Sequence, residues 1–189
     1  MKKFLAFTMA AAMTLSLAAC GGGSGSGSNT SADGSGSAAF KLGGTGPLTG
    51  DASIYGLAAQ RGAQIAVDEI NAEGGAIQFE LKYEDDVNDP EKAVNAYNAL
   101  KEWGMQISLG SVTTQPCIAT SSYNFADSIF ALTPSASSPD VISGKDNVYQ
   151  MCFSDPNQGT ASAKYISEQK LGEKVFIIWK SDDNYSTSI

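Results

Sequence analysis

From position 40 onward the chain alternates short apolar runs with longer stretches of helical spacing. Residues 40–44 open a strand that leads into the loop GTGPLTGDASIYG. A helix is predicted over 56–73, because Ala59, Ala63, Ala66 and Ile70 recur at spacings that share one face and Gly74-Gly75 stops it. Small residues on that face let the helix lie close to a sheet. Ile77, Phe79, Leu81 and Tyr83 then alternate with Gln78, Glu80, Lys82 and Glu84, the period of a strand with one wet face, which in a parallel sheet fits an edge. Asp89-Pro90 reads as an N-cap with proline at the first helical position, and that helix runs to about 103 with Gly104 as its stop. Residues 105–109 form a third strand, 116–127 a third helix and 129–132 a fourth strand. Beyond a Ser/Pro-rich loop, 148–153 is strand-like, 157–171 is helical, and 175–179 is an unbroken apolar run that suits a strand covered on both faces. The succession βαβαβαβ over 40–133 predicts an α/β fold built on a doubly wound parallel sheet.

Upstream of position 40 the pattern is different. Met1-Lys2-Lys3 is a short basic start, and 4–17 is an Ala-rich apolar run too short for a comfortable membrane-spanning helix. The run ends in LAAC at 17–20, which resembles the bacterial lipobox and so implies cleavage before Cys20 and a diacylglycerol on its thiol. Two acyl chains hold a domain on a membrane surface where one is marginal. Residues 21–38 contain 7 Gly and 6 Ser in 18 positions and no large apolar side chain, the composition of a flexible tether. The folded part therefore begins near 39, on the extracytoplasmic side of the membrane.

Composition narrows the chemistry. In 189 residues there are 12 Lys+Arg, 20 Asp+Glu and no histidine, for a formal charge of −8. So acidic a surface is a poor partner for nucleic acid. Without histidine the Ser-His-Asp and Cys-His systems, the H-E-x-x-H metal site and the commonest general base are excluded. No catalytic residue, metal site or cofactor is expected.

In open α/β sheets a ligand sits outside the carboxyl ends of the strands. Here those ends carry GTGPLTGDASIYG (44–56), GSVTTQP (110–116) and TPSASSP (133–139), with Asp51 the one charged side chain among them. The first loop spells G-x-G-x-x-x-G and delays its helix, which breaks the dinucleotide fingerprint, and no loop supplies a phosphate lysine. Thr113 and Thr114 stand at a helix start, where hydroxyls and free backbone donors make an anion site for a carboxylate. Ser135 and Ser137 add oxygens that accept from an ammonium group. The loops thus offer both halves of an amino acid's polar end, although caps and turns explain the same residues equally well. Asp85-Asp86 reads as a solvated turn after the edge strand rather than an acid/base pair or metal site.

The ordered series GPLTGDASIYGLAAQRGAQIAVDEINAEGG, YEDDVNDPEKAVNAYNAL, LGSVTTQPCIA, LTPSASSP and CFSDPNQGTASAKYI resembles the amino-terminal half of the substrate-binding lipoproteins of branched-chain amino acid ABC transporters, the periplasmic binding protein type I family. That resemblance implies two α/β lobes that close on a ligand and deliver it to a permease without chemistry. It implies a first lobe over 39–146, a hinge strand and incomplete second lobe over 147–189, and a chain that is a fragment or a truncated gene product. The ligand-binding residues implied are Tyr55, packing on the ligand; Thr113 and Thr114, at its carboxylate; Ser135, Ala136 and Ser137, at its ammonium; and Tyr185, from the second lobe. An acidic residue for the ammonium would lie beyond Ile189. The ligand expected is a branched-chain or similar small amino acid or amide, the partners the permease and, through the lipid on Cys20, the membrane. A ligand-binding sensory module of a receptor is the alternative the same fold allows. Cys117 and Cys152 are an even pair in an exported domain, and in the implied fold a disulfide and two free thiols are equally open.

Overall fold

A computed structural model describes residues 39–189, so the expected signal segment with Cys20 and the tether lie outside the described residues. The strands β1 (Phe40–Gly46), β2 (Phe79–Asp85), β3 (Ile107–Ser111), β4 (Ala131–Thr133) and β5 (Val148–Gln150) form one all-parallel sheet in the order β2-β1-β3-β4-β5. Helices α1 (Ser53–Ala72), α2 (Pro90–Trp103) and α3 (Thr114–Ala126) connect the first four strands, and α4 (Asp155–Glu168) and α5 (Asn184–Ser188) follow β5. Strand β2 pairs with β1 alone and is the edge that its alternating side chains predict. The crossover from β1 to β2 runs one way along the sheet and those from β2 to β3 and from β3 to β4 run the other, so right-handed connections put α1 on one face of the sheet and α2 with α3 on the other. The order therefore switches between β1 and β3, and a crevice opens there at the strands' carboxyl ends.

Local chemistry accounts for the elements. The Asp89 carboxylate accepts from the Lys92 N–H at 2.8 Å, Pro90 occupies the first turn, and Gly104 ends α2 in the left-handed conformation at φ 94°, as its sequence predicts. Helix α1 starts three residues before the predicted position and buries Gly56 and Val67, while Ile70 stays 45% exposed. Gly56 is where α1 meets the loop after β1: a Cβ there would collide with the Pro47 backbone. The core lies under α2 and α3, with Tyr97, Leu100 and Met105 in one cluster and Cys117, Ala131, Ala136, Val141 and Val148 in another. The Tyr97 hydroxyl donates to Asp127 at 2.8 Å, and Lys101 pairs with the same carboxylate at 2.6 Å, tying α2 to the end of α3.

One expectation is corrected here. Residues 175–179 are neither a strand nor covered: Val175, Phe176, Ile177, Ile178 and Trp179 are 59% to 88% exposed. An apolar run becomes a buried strand only when neighbouring strands pair with it, and no described strand does. Cys117 and Cys152 are both free thiols. Cys117 is fully buried in its cluster, while the Cys152 Sγ donates to the Ala136 carbonyl at 3.4 Å.

Candidate functional site

The crevice at the switch point is a cleft of about 420 Å³, within the usual size of small-molecule sites. The loops after β1, β2, β3 and β4 line it, together with the segments around Phe153 and Tyr185. Of the residues expected from sequence, Tyr55, Thr113, Thr114, Ser135, Ser137 and Tyr185 all line this cleft. Ala136 does not: it is fully buried behind the wall, and its carbonyl is already held by the Gln150 amide at 2.7 Å. A larger hollow between α4 and residues 175–179 is walled mainly by apolar side chains, with the serines Ser162, Ser167 and Ser186 among them and no carboxylate or ammonium side chain.

Each polar group has a traceable position. Strand β3 continues into Val112, whose N–H donates to the Thr45 carbonyl of β1 at 3.2 Å, and this brings Thr113 to the head of α3. Thr113 is the N-cap residue, yet its side chain makes no capping bond, and its Oγ1 is buried without a hydrogen-bond partner. A hydroxyl in that state at a helix start has its capacity free for a bound group. Thr114 beside it is 6% exposed. The Ser135 hydroxyl donates to the Val112 carbonyl at 2.5 Å, which pins the loop after β4 against the loop after β3. The Thr133 hydroxyl does the same one step deeper, donating to the Ser111 carbonyl at 2.7 Å and accepting from the Ala136 N–H at 3.1 Å. The Ser137 carbonyl accepts from the Asp155 N–H at 3.1 Å, joining this wall to the first turn of α4.

Across the cleft, the rings of Tyr55 and Tyr185 stand 65% and 39% exposed. The Tyr185 hydroxyl bonds Gln158 of α4 at 3.1 Å. Seven further residues line the cleft that sequence reasoning did not select as ligand-binding: Ala52, Asn88, Val112, Gln115, Cys152, Phe153 and Asp183. Gln115 carried a usable signal, since it lies between Thr114 and Pro116 in the first turn of α3. Its amide reaches the Asp182 carbonyl at 3.3 Å. Asp183 is the one carboxylate of the lining, and it is engaged as the cap of α5, accepting from the Ser186 N–H at 2.9 Å.

Asp85 and Asp86 are not a solvated turn. The Asp85 Oδ1 accepts from the N–H groups of Leu48 at 2.8 Å and Val87 at 2.9 Å, and its Oδ2 accepts from the Thr49 hydroxyl at 2.6 Å. Against burial, which pushes it up, these donors hold the Asp85 carboxyl below the usual carboxylate range. Asp86 is fully buried, and burial pushes its carboxyl up to about 6. The pair clamps the β2 end to the loop that leads to Tyr55.

An α/β lobe with a mostly uncharged, hydroxyl-lined cleft at its switch point, flanked by tyrosines, defines a small-molecule binding lobe. The family model described as periplasmic binding protein matches residues 39–189, and the chain belongs to that family. It is 33% identical over 144 residues to the Leu/Ile/Val-binding protein BraC3 of Rhizobium johnstonii, a match that covers 75% of this chain and 39% of that one. Among solved structures it resembles the branched-chain amino acid transporter substrate-binding protein LivJ of Streptococcus pneumoniae in complex with isoleucine, at TM-score 0.75 and 27% identity over 79% of this chain and 44% of that one. It also resembles an ABC transporter substrate-binding protein of Desulfitobacterium hafniense in complex with Leu, at TM-score 0.65 and 28% identity with the same coverage. The chain thus spans about two fifths of the length of the relatives it matches.

Proposed function

We propose that this chain is the amino-terminal ligand-gripping part of an extracytoplasmic solute-binding protein of an ABC transporter, which captures a branched-chain or similar small amino acid and delivers it to a permease. The observation that carries the reading is the buried, unpartnered Thr113 hydroxyl at the head of α3, inside a cleft shared with Tyr55 and Tyr185. The start of α3 and the Thr113 and Thr114 hydroxyls receive the ligand carboxylate without a full positive charge. Oxygens of the Ser135–Ser137 loop receive the ammonium, and Tyr55 packs against the ligand. Residues 39–146 act as the first lobe and 147–189 as the hinge strand and beginning of the second. Relatives solved with isoleucine and with Leu support this ligand class.

The protein binds and releases its ligand unchanged, and no residue of the cleft is assigned a catalytic role. Calorimetric titration of the full-length gene product against free amino acids, amides and urea tests the reading. Saturable binding of an aliphatic α-amino acid supports it, and silence across the panel overturns it. We further propose that Cys20 is lipidated and anchors the domain to the outer face of the cell membrane. Labelling with radioactive palmitate in cells is expected to mark the wild-type chain, and Cys20→Ala to abolish both the label and the membrane fraction. A labelled C20A chain would sink this proposal.

A further inference from the structure

Beneath the cleft floor, buried polar side chains run in a line across the sheet. Asp86 at the end of β2, Thr45 of β1, Ser111 of β3 and Thr120 of α3 are each 3% exposed or less. The Thr45 and Ser111 hydroxyl oxygens lie 2.6 Å apart, and those of Ser111 and Thr120 lie 2.9 Å apart. Asp86 is not hydrogen-bonded into this line: its Oδ1 accepts from the Asn88 N–H at 2.9 Å, while its Oδ2 is buried without a partner.

The residues next to Asp86 are held in an unfavourable backbone. Val87 and Asn88 have φ of 52° and 57°, and the left-handed region is tolerable for Asn but a true outlier for β-branched Val. The surroundings must impose such a conformation. Here two carboxylates do so, Asp85 through the Val87 N–H and Asp86 through the Asn88 N–H. What the strained turn achieves is the placement of Asn88, which lines the same cleft as Thr113 and Thr114.

We infer that Asp86 is a positioning residue of the cleft: its ionised carboxylate holds the Asn88 N–H and so fixes Asn88 in the wall, and protonation loosens that hold. The inference rests on the cleft being the ligand site proposed above. With Asp86 ionised, its Oδ1 is a charged acceptor for the Asn88 N–H. With Asp86 protonated, that charge is lost and the bond to the Asn88 N–H weakens. The ionisable groups acting on Asp86 are Asp85 beside it, Asp89 at the head of α2 and Tyr83 of β2, which in turn feels Cys117 of α3. The acidic members of this set oppose its ionisation and none is cationic. Burial and these neighbours place the change near pH 6.

Ligand-free NMR between pH 4.5 and 7.5 tests the inference, following the Asp86 carboxyl carbon and the amides of Asn88, Thr113 and Thr114. One shared midpoint near 6 is expected in the wild type for the Asp86 carboxyl and the Asn88 amide, with a flat Asn88 signal in the folded D86N variant. Asp86 titrating in the ordinary carboxylate range, or Asn88 still titrating near pH 6 in D86N, would overturn it. A second arm measures amino-acid affinity at both ends of this range in wild type and D86N. A several-fold pH dependence confined to the wild type supports the inference, and equal dependence in both refutes it. If no amino acid binds at all, the proposed function fails, while the ligand-free titration still decides the role of Asp86.

Discussion

Asp85 and Asp86 are adjacent and chemically identical, yet they respond to pH in opposite senses. Asp85 is held below the usual range, so the stability it contributes is present above the unfolded-state value and is lost as pH falls through its lowered one. Asp86 is raised, so its contribution is complete below the unfolded-state value and is lost as pH rises through about 6. Thermal melts are expected to show D86N less pH-sensitive than the wild type between about pH 4, the unfolded-state value, and about 6, and D85N destabilised at neutral pH because the charged acceptor is lost and an amide nitrogen replaces the oxygen that accepts from the Thr49 hydroxyl. A wild-type melting temperature that is flat in that window would contradict the assignment for Asp86. The two cysteines divide in the same way by environment. Burial pushes Cys117 up to about 11, and Cys152 is raised as well but lies in the cleft wall. In a form beginning after Cys20, a thiol reagent is expected to modify Cys152 in the native protein and Cys117 only on unfolding. Two unreactive thiols that appear only after reduction would instead show a Cys117–Cys152 bond. Thr113 was legible because its hydroxyl precedes a helix; the burial of Asp86 was not, since a D-D pair after an exposed strand has the composition of a wet turn.

At the scale of elements, the parts that local chemistry dictates were readable, and those that depend on distant partners were not. Helix α2 agrees with its sequence at both ends because Asp89, Pro90 and Gly104 act within a few residues of themselves. Strand β2 was readable as an edge because its alternation reports which face meets water. The apolar run 175–179 was misread because strand burial requires neighbouring strands, which periodicity cannot supply. The distinction can be measured. Leu100→Ala, at a 1% exposed core position, is expected to cost about 2–5 kcal/mol in chemical denaturation. Ile178→Ser, 87% exposed, is expected to stay within about 0.5 kcal/mol of wild type. A large loss for I178S would show that the run is buried after all. Glycines separate in the same manner. Gly56→Ala forces α1 off the Pro47 backbone and is expected to destabilise by about 1–3 kcal/mol. Gly62→Ala meets no atom within 4 Å and is expected to gain up to about 1 kcal/mol from helix propensity.

For the whole molecule, the central claim is that the cleft between the β1 and β3 loops is built to hold an amino acid by its polar end. Sequence supplied the loops and most of their hydroxyls. Which hydroxyls remain free only the fold reveals: Ser135 is engaged on Val112, and Thr113 is left without a partner. Calorimetric titration of an aliphatic α-amino acid into the full-length gene product and its Thr113→Val variant tests that claim most directly. The wild type is predicted to bind saturably and T113V to lose about 1–3 kcal/mol of binding free energy with its fold intact. Equal affinity in the two proteins, or no binding in either, would contradict it.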